Sequence, residues 1–194
     1  MKHIKNYFSE IAKIANSIDN KEINISVREL VKLKKNKGRI FFLGVGGSAG
    51  NCSHAVNDFR KICNIESYSP VDNVSELTAR INDEGWGSSF VNWLKVSNFK
   101  KNDALFILSV GGGNKKKNVS TNLITAIDYA KKINATILGI IGKKDGYARK
   151  VSKKVIVIPE VNKKFVTPYS EAFQAVIWHC LVSHPLLQIN KTKW

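Results

Sequence analysis

Apolar residues recur along this chain at two periods, and the way the periods alternate predicts its architecture. Residues 2–17 place Ile4, Phe8, Ile11, Ile14 and Ala15 at helical spacing. A second helix is expected from about Lys21 to Lys35, through Ile23, Val27, Leu30, Val31 and Leu33. Asn36-Lys37-Gly38 ends it, with Gly38 suited to a C-terminal cap. Arg39–Leu43 is a short continuous apolar run with little alternation, the pattern of a strand covered on both faces. A helix over 47–62 follows, then a short strand at Ile65–Ser69 and a short helix at Asn73–Arg80. Ile81–Gly85 reads as a turn, and Trp86–Ser97 as a helix with Phe90, Trp93 and Leu94 inward. Ala104–Val110 is the next strand, 119–133 the next helix, and Thr136–Ile141 and Val155–Pro159 two further strands. The last helix is expected to start at Thr167-Pro168, with Thr167 as N-cap and Pro168 at the first helical position, and to run to about Ser183.

Strands alternating with helices predict an α/β fold, a doubly wound and mostly parallel five-stranded sheet. The 194 residues fit one well-buried domain, with a helical segment over 1–36 and an α/β core over 37–184.

Charge adds one constraint. Lys and Arg number 31 against 15 Asp and Glu, a formal net charge of +16, so anionic partners are favoured. Lysine dominates and is spread in short runs such as Lys115–Lys117 and Lys143–Lys144. There is no arginine-rich arm and no aromatic–basic interleaving, which argues for a solvated lysine surface over a nucleic-acid partner. Cys52, Cys63 and Cys180 form no CxxC pair and lie in apolar or helical segments, so buried thiols in a reducing compartment are expected. No apolar run approaches bilayer-spanning length, and no signal-type apolar region follows the N-terminus. These features place the protein in the cytoplasm, with no membrane partner.

Candidate chemistry gathers at two glycine loops, each following a strand. In a doubly wound sheet, ligands bind at the carboxyl ends of strands, so both loops can face one crevice. The first, Gly44-Val-Gly-Gly-Ser48, puts Gly46, Gly47 and Ser48 at a helix N-terminus, where free N–H groups suit a phosphate. It is neither a dinucleotide fingerprint nor a Walker A loop, and a tight turn without ligand fits it equally well. The second, Ser109-Val-Gly-Gly-Gly-Asn114, repeats the arrangement, with Lys115–Lys117 beside it. Downstream of the first loop, His54 and Asp58 stand four residues apart on one helix face. They suit metal ligands, an acid–base pair or a surface hydrogen bond. On the last helix, Glu171 lies eight residues before His179. A histidine between Trp178 and Cys180 fits a packed core position as well as a ligand. Taken together, His54, Asp58, Glu171 and His179 resemble a nitrogen–oxygen site for zinc or a similar divalent ion. Glu171 and His179 are separated by roughly 12 Å along a helix axis. Their side chains must converge on one ion, or one of them serves a neighbouring subunit. An oligomer with an interfacial site follows as an expectation.

Order and spacing of these motifs over about residues 1–184 resemble the SIS (sugar isomerase) domain proteins with their flavodoxin-like fold, and within them the sedoheptulose 7-phosphate (phosphoheptose) isomerases. The resemblance implies substrate binding by Ser48 and Ser109 with their loop backbones, at Gly46, Gly47, Gly111, Gly112 and Asn114, and by Asp83 in the Asn82-Asp83 segment. It implies zinc held by His54, Asp58, Glu171 and His179, a homotetramer, and isomerisation of sedoheptulose 7-phosphate to a heptose 7-phosphate for lipopolysaccharide or capsule. Asp58 and His179 are the candidate proton-transfer residues. Five positions depart from the family pattern. Val45 replaces an asparagine, Val110 and Gly111 replace hydroxyl residues, Asp58 replaces a glutamate and Glu171 a glutamine. With hydroxyls missing from the second loop, Ser109, backbone N–H groups or Lys115 would have to hold the phosphate. The alternative implied by the wider superfamily is a non-catalytic protein that binds a sugar phosphate or acts as an oligomeric adaptor.

Overall fold

Five short strands cross the molecule: β1 (Ile40–Leu43), β2 (Ser67–Tyr68), β3 (Ala104–Ser109), β4 (Thr136–Ile141) and β5 (Val155–Val157). The computed structural model describes residues 2–192. The strands form one sheet in the order β2-β1-β3-β4-β5, and every pair is parallel. The chain order reverses direction between β1 and β3, which lie side by side with Leu43 opposite Ile107. That neighbourhood is the switch point at which sheets of this topology open a crevice.

Both sheet faces are buried, which explains why β1 and β3 read as unbroken apolar runs. Alternate side chains serve two cores. Ile40, Phe42, Ala104, Phe106 and Leu108 meet α1 (Lys2–Ser17), α2 (Asn20–Lys35), α3 (Gly47–Lys61) and α8 (Val166–Val182). Phe41, Leu43, Leu105 and Ile107 meet the opposite layer. That layer holds α4 (Val74–Glu84), α5 (Ser89–Val96), α6 (Thr121–Lys132) and α7 (Tyr147–Val151). At the end of the sheet away from the crevice, Arg39 ties the start of β1 to β3. Its Nη2 lies 2.8 Å from Asp103 Oδ2, and its backbone N–H donates to Oδ1 at 3.0 Å.

Several boundaries differ from the sequence pattern. Of the expected turn at Ile81–Gly85, residues 81–84 continue α4 and Gly85 caps it; at the other end Asn73 Oδ1 accepts from the Glu76 N–H at 3.1 Å. Arg80 then bridges Glu76 and Glu84 along one face. Trp86 stands outside α5 and is exposed. The short α7, its N-cap Gly146 making no side-chain cap, left no periodic signal in five residues. At α8 the N-cap is Phe165, not Thr167. A 3₁₀ turn at Lys163–Phe165, where Asn162 Oδ1 accepts from the Lys164 N–H, runs straight into the helix. Pro168 therefore sits at the third helical position, still in the turn where a missing N–H is harmless. Cys52 and Cys63 are buried as expected, but Cys180 is exposed. The buried stripe of α8 runs through Phe173, Gln174, Ile177, Trp178 and Leu181, and Cys180 lies off it. Among the described residues no helix is long and apolar enough to cross a membrane.

Candidate active site

Both glycine loops leave adjacent strands at their carboxyl ends. In the first, Gly44 fits a turn so tight that a Cβ there would lie 2.5 Å from the Ser48 carbonyl oxygen. Gly46 caps α3 with φ 63° and ψ −130°, a conformation that only glycine adopts freely. Gly47 opens the helix against Glu171, whose carboxyl carbon would be 2.6 Å from any Cβ. A carboxylate beside the first turn of α3 faces the positive end of the helix. Val45 packs against the opposite core, with Phe41, Leu43 and their neighbours. Ser48 is 1% exposed, and its Oγ accepts from Gln174 Nε2 at 3.0 Å. Gln174 Oε1 in turn accepts from Asn51 Nδ2 at 2.8 Å, and the same amide nitrogen donates to the Glu171 carbonyl at 2.9 Å.

Two turns along α3, three side chains converge. His54 Nε2 lies 3.4 Å from Asp58 Oδ2, and His179 Nε2 lies 3.3 Å from that same oxygen. One ligand atom from each residue falls within 4.8 Å of the others. Asp58 is buried while both imidazoles are about half exposed. The carboxylate is aimed by Trp178, whose Nε1–H donates to Oδ2 at 3.2 Å, and by Asn57 Nδ2, which donates to Oδ1 at 3.1 Å. His179 Nδ1 lies 2.8 Å from the Ala175 carbonyl oxygen. A carbonyl only accepts, so Nδ1 carries a proton, and Nε2 offers either a lone pair to a cation or a proton to Asp58. A depression of about 380 Å³ opens over the triad, with Lys61 and Lys191 on its wall.

The donor set fits a divalent metal. In a tetrahedral zinc site with bonds of roughly 2.0 Å, neighbouring ligand atoms are about 3.3 Å apart, close to the spacing of the two imidazole nitrogens from Asp58 Oδ2. Three protein ligands would leave the fourth position of such a site open. The structure brings together His54, Asp58 and His179 of the expected four. Glu171 stands two turns before His179, with its carboxylate against Gly47.

The second loop is organised from the surface. Ser109 is buried and its Oγ accepts from the Gly112 N–H at 3.0 Å. Gly112 and Gly113, with φ of 69° and 83°, turn the chain so that their carbonyls accept from the Ala148 and Tyr147 N–H groups of α7. Asn114 and Val119 then pair in antiparallel fashion, closing a hairpin that carries the three lysines. Lys115 Nζ lies 2.8 Å from Asp128 Oδ2 and 4.3 Å from the centre of the Tyr147 ring. The Tyr147 hydroxyl also donates to Asp128. Hydrogen bonds to Asp128 and to Tyr147 raise the Lys115 pKa, so this ammonium is already paired. Lys115, one of the three groups open to holding a phosphate, here ties the hairpin to Asp128 of α6. Asp83 lies exposed on α4, its carboxylate accepting from Asn82 Nδ2 at 2.7 Å.

The family profile described as the SIS domain matches residues 6–142. The chain belongs to the SIS-domain family. A phosphoheptose isomerase of Helicobacter pylori is 26% identical over 161 residues, covering 80% of this chain and 78% of that protein. The lincomycin biosynthesis protein LmbN of Streptomyces lincolnensis is 28% identical over 158 residues, covering 76% of this chain and 56% of its own. The fold is that of phosphoheptose isomerase GmhA from Neisseria gonorrhoeae, with a TM-score of 0.77 at 19% identity over 93% of this chain and 95% of that one.

Within the SIS match lie both glycine loops, His54 and Asp58; α8, with His179, follows beyond it. Sequence reasoning missed the residues that hold the site in shape: Asn51, Gln174, Trp178, Asp128 and Tyr147. Gln174 left a signal, since a polar side chain on the buried stripe of α8 must find a partner.

Proposed function

We propose that this SIS-domain protein is an aldose–ketose isomerase acting on a phosphorylated sugar, with sedoheptulose 7-phosphate as the leading substrate. The observation that carries the reading is the convergence of His54, Asp58 and His179 beside a loop that offers Ser48 and free N–H groups. Moving a carbonyl between C1 and C2 requires one group to take a proton from carbon and another to return one. Asp58 and His179 form that pair. His179 Nε2 and Asp58 Oδ2 lie 3.3 Å apart, so a proton held by one can pass to the other while no cation occupies both atoms. Trp178 and Asn57 fix the carboxylate, and the Ala175 carbonyl fixes the imidazole tautomer. A divalent cation, zinc by donor type, would be held by His54, Asp58 and His179 and would polarise the substrate's carbonyl and hydroxyl oxygens. Lys61 and Lys191 add positive charge beside the triad. Ser48, Ser109 and the loop N–H groups take the phosphorylated remainder of the sugar.

Assembly into an oligomer belongs to the same reading. Val176 is 53% exposed one turn before His179, and Phe8 on α1 is 64% exposed. Exposed apolar side chains on α1 and α8 suit cover by a second copy. A monomer in solution with full activity would overturn that part.

The deciding experiment is an isomerisation assay on a panel of ketose phosphates, with and without added zinc. Conversion of sedoheptulose 7-phosphate, lost on chelation and restored by zinc, is the expected result. Tight binding of a sugar phosphate with no turnover on any panel member would instead favour a non-catalytic SIS protein.

A further inference from the structure

The Ser48 hydroxyl is oriented by a chain of two amides whose direction the structure determines. The Glu171 backbone carbonyl can only accept, so the Asn51 group 2.9 Å from it is the NH₂. That nitrogen also lies 2.8 Å from the Gln174 carboxamide, which must present its oxygen. The Gln174 nitrogen is then left to face Ser48 Oγ, at 3.0 Å. An amide nitrogen cannot accept, so Ser48 Oγ is the acceptor of that bond. Its own proton has no acceptor among the described residues. Gln174 is 0% exposed and cannot turn to water.

We infer that Asn51 and Gln174 are positioning residues that set the polarity of Ser48: they occupy an oxygen lone pair from behind and leave its O–H to donate to an acceptor oxygen of the bound sugar phosphate. The inference rests on the proposed role of Ser48 in substrate binding. It selects for an anionic or carbonyl oxygen over a donor group at that point, and it assigns Ser48 no part as a base.

Two near-isosteric variants test it. Q174M removes the donor but leaves Ser48 free to donate outward. Q174E, once ionised, presents only acceptors, so the Ser48 proton turns inward and is lost to the substrate. A purely structural role predicts that kcat and KM worsen together in each variant in step with its loss of thermal stability, which a buried carboxyl group makes larger in Q174E. Set polarity predicts a KM for sedoheptulose 7-phosphate about tenfold or more higher for Q174E than for Q174M, with kcat within about threefold. Equal KM values in two folded proteins would overturn the inference. A second measurement needs no substrate. The ¹⁵N-labelled side-chain amides of the wild type and S48A are compared by NMR. S48A is expected to move the Gln174 NH₂ resonances and leave those of Asn51 in place; unmoved Gln174 resonances would overturn the polarity itself. Should the wild type convert no member of the ketose panel, the isomerase reading falls while the NMR comparison still decides the orientation of Ser48.

Discussion

The two glycine loops occupy equivalent places, at the carboxyl ends of neighbouring parallel strands, yet they are held by different physics. The first is braced from inside. Glu171 closes on Gly47, and Gln174 of α8, held by Asn51 of α3, reaches Ser48 through a bond shielded from water. The second is braced from outside. Its glycines lean on α7, and the hairpin beyond them hangs on an exposed pair, Lys115 with Asp128, and on Tyr147. A buried network tolerates little change, because each lost partner strands a polar group at a cost of about 1–3 kcal/mol. An exposed ion pair is weakly coupled to the fold, so the second loop can change length and chemistry without disturbing α6. The constant end of the site is therefore the first loop with the triad, and the adaptable end is the lysine hairpin.

The largest effect is expected at the constant end. Asp58→Asn keeps an oxygen for the Trp178 N–H but removes the charge and the proton-accepting capacity. Turnover should fall by roughly 10²–10⁴-fold, the usual weight of a general acid or base, with the melting temperature little changed. Full activity in the folded variant would remove Asp58 from the chemistry and erase the contrast between the two ends.

The contrast between the loops is sharpened by removing one hydroxyl from each. Ser48→Ala deletes a donor that the protein holds ready for the ligand, and kcat/KM should fall roughly tenfold to a hundredfold. Ser109 Oγ is already engaged by the Gly112 N–H, so Ser109→Ala should cost less, within about tenfold. Steady-state kinetics on the same sugar phosphate decide the order. A larger loss from Ser109→Ala would mean that the second loop, not the first, dominates recognition.

How far the sequence could be read follows the same divide between local and tertiary causes. The apolar runs at Ile40–Leu43, Ala104–Ser109 and Thr136–Ile141 announced buried parallel strands because nothing polar interrupts them. His54 and Asp58 could be paired from their spacing, since four residues on a helix bring side chains together wherever the helix lies. The destination of Glu171 could not be read that way. Eight residues before His179 leaves its partner to the packing of α8 on α3, which puts it at Gly47. Thr167 looked like an N-cap because its side chain has the right chemistry, but the Asn162 turn upstream had already started the helix. Cys180 was misjudged for a related reason: an apolar segment does not say which side of its helix faces the core. Asp128 and Lys115 are thirteen residues apart and meet only because the hairpin folds back on α6.

That last pair yields the smallest expected effect and the most direct probe of the adaptable end. Burial pushes the Asp128 carboxyl up, but hydrogen bonds from Lys115 and Tyr147 and the charge of Lys115 outweigh it, holding the group below its ordinary value of 3.8. A carboxylate lowered in the folded state stabilises the fold above its unfolded pKa, and loses that contribution as the pH falls through the folded value. The clamp is thus fully present from about pH 5 upward and fades below about pH 4. Its readout is the Val119 amide, which donates to the Asn114 carbonyl across the hairpin at 3.1 Å. Asp128→Asn keeps an acceptor for Tyr147 but weakens the hold on Lys115. Hydrogen exchange at Val119, corrected for intrinsic rate, should quicken about two- to fivefold near neutral pH. The same variant should raise KM only a few-fold and leave kcat in place. Wild type and variant should converge as the pH drops below about 4. Equal exchange at neutral pH would show that the glycine contacts to α7 hold the hairpin without the ion pair, and the second loop would then be as rigidly fixed as the first.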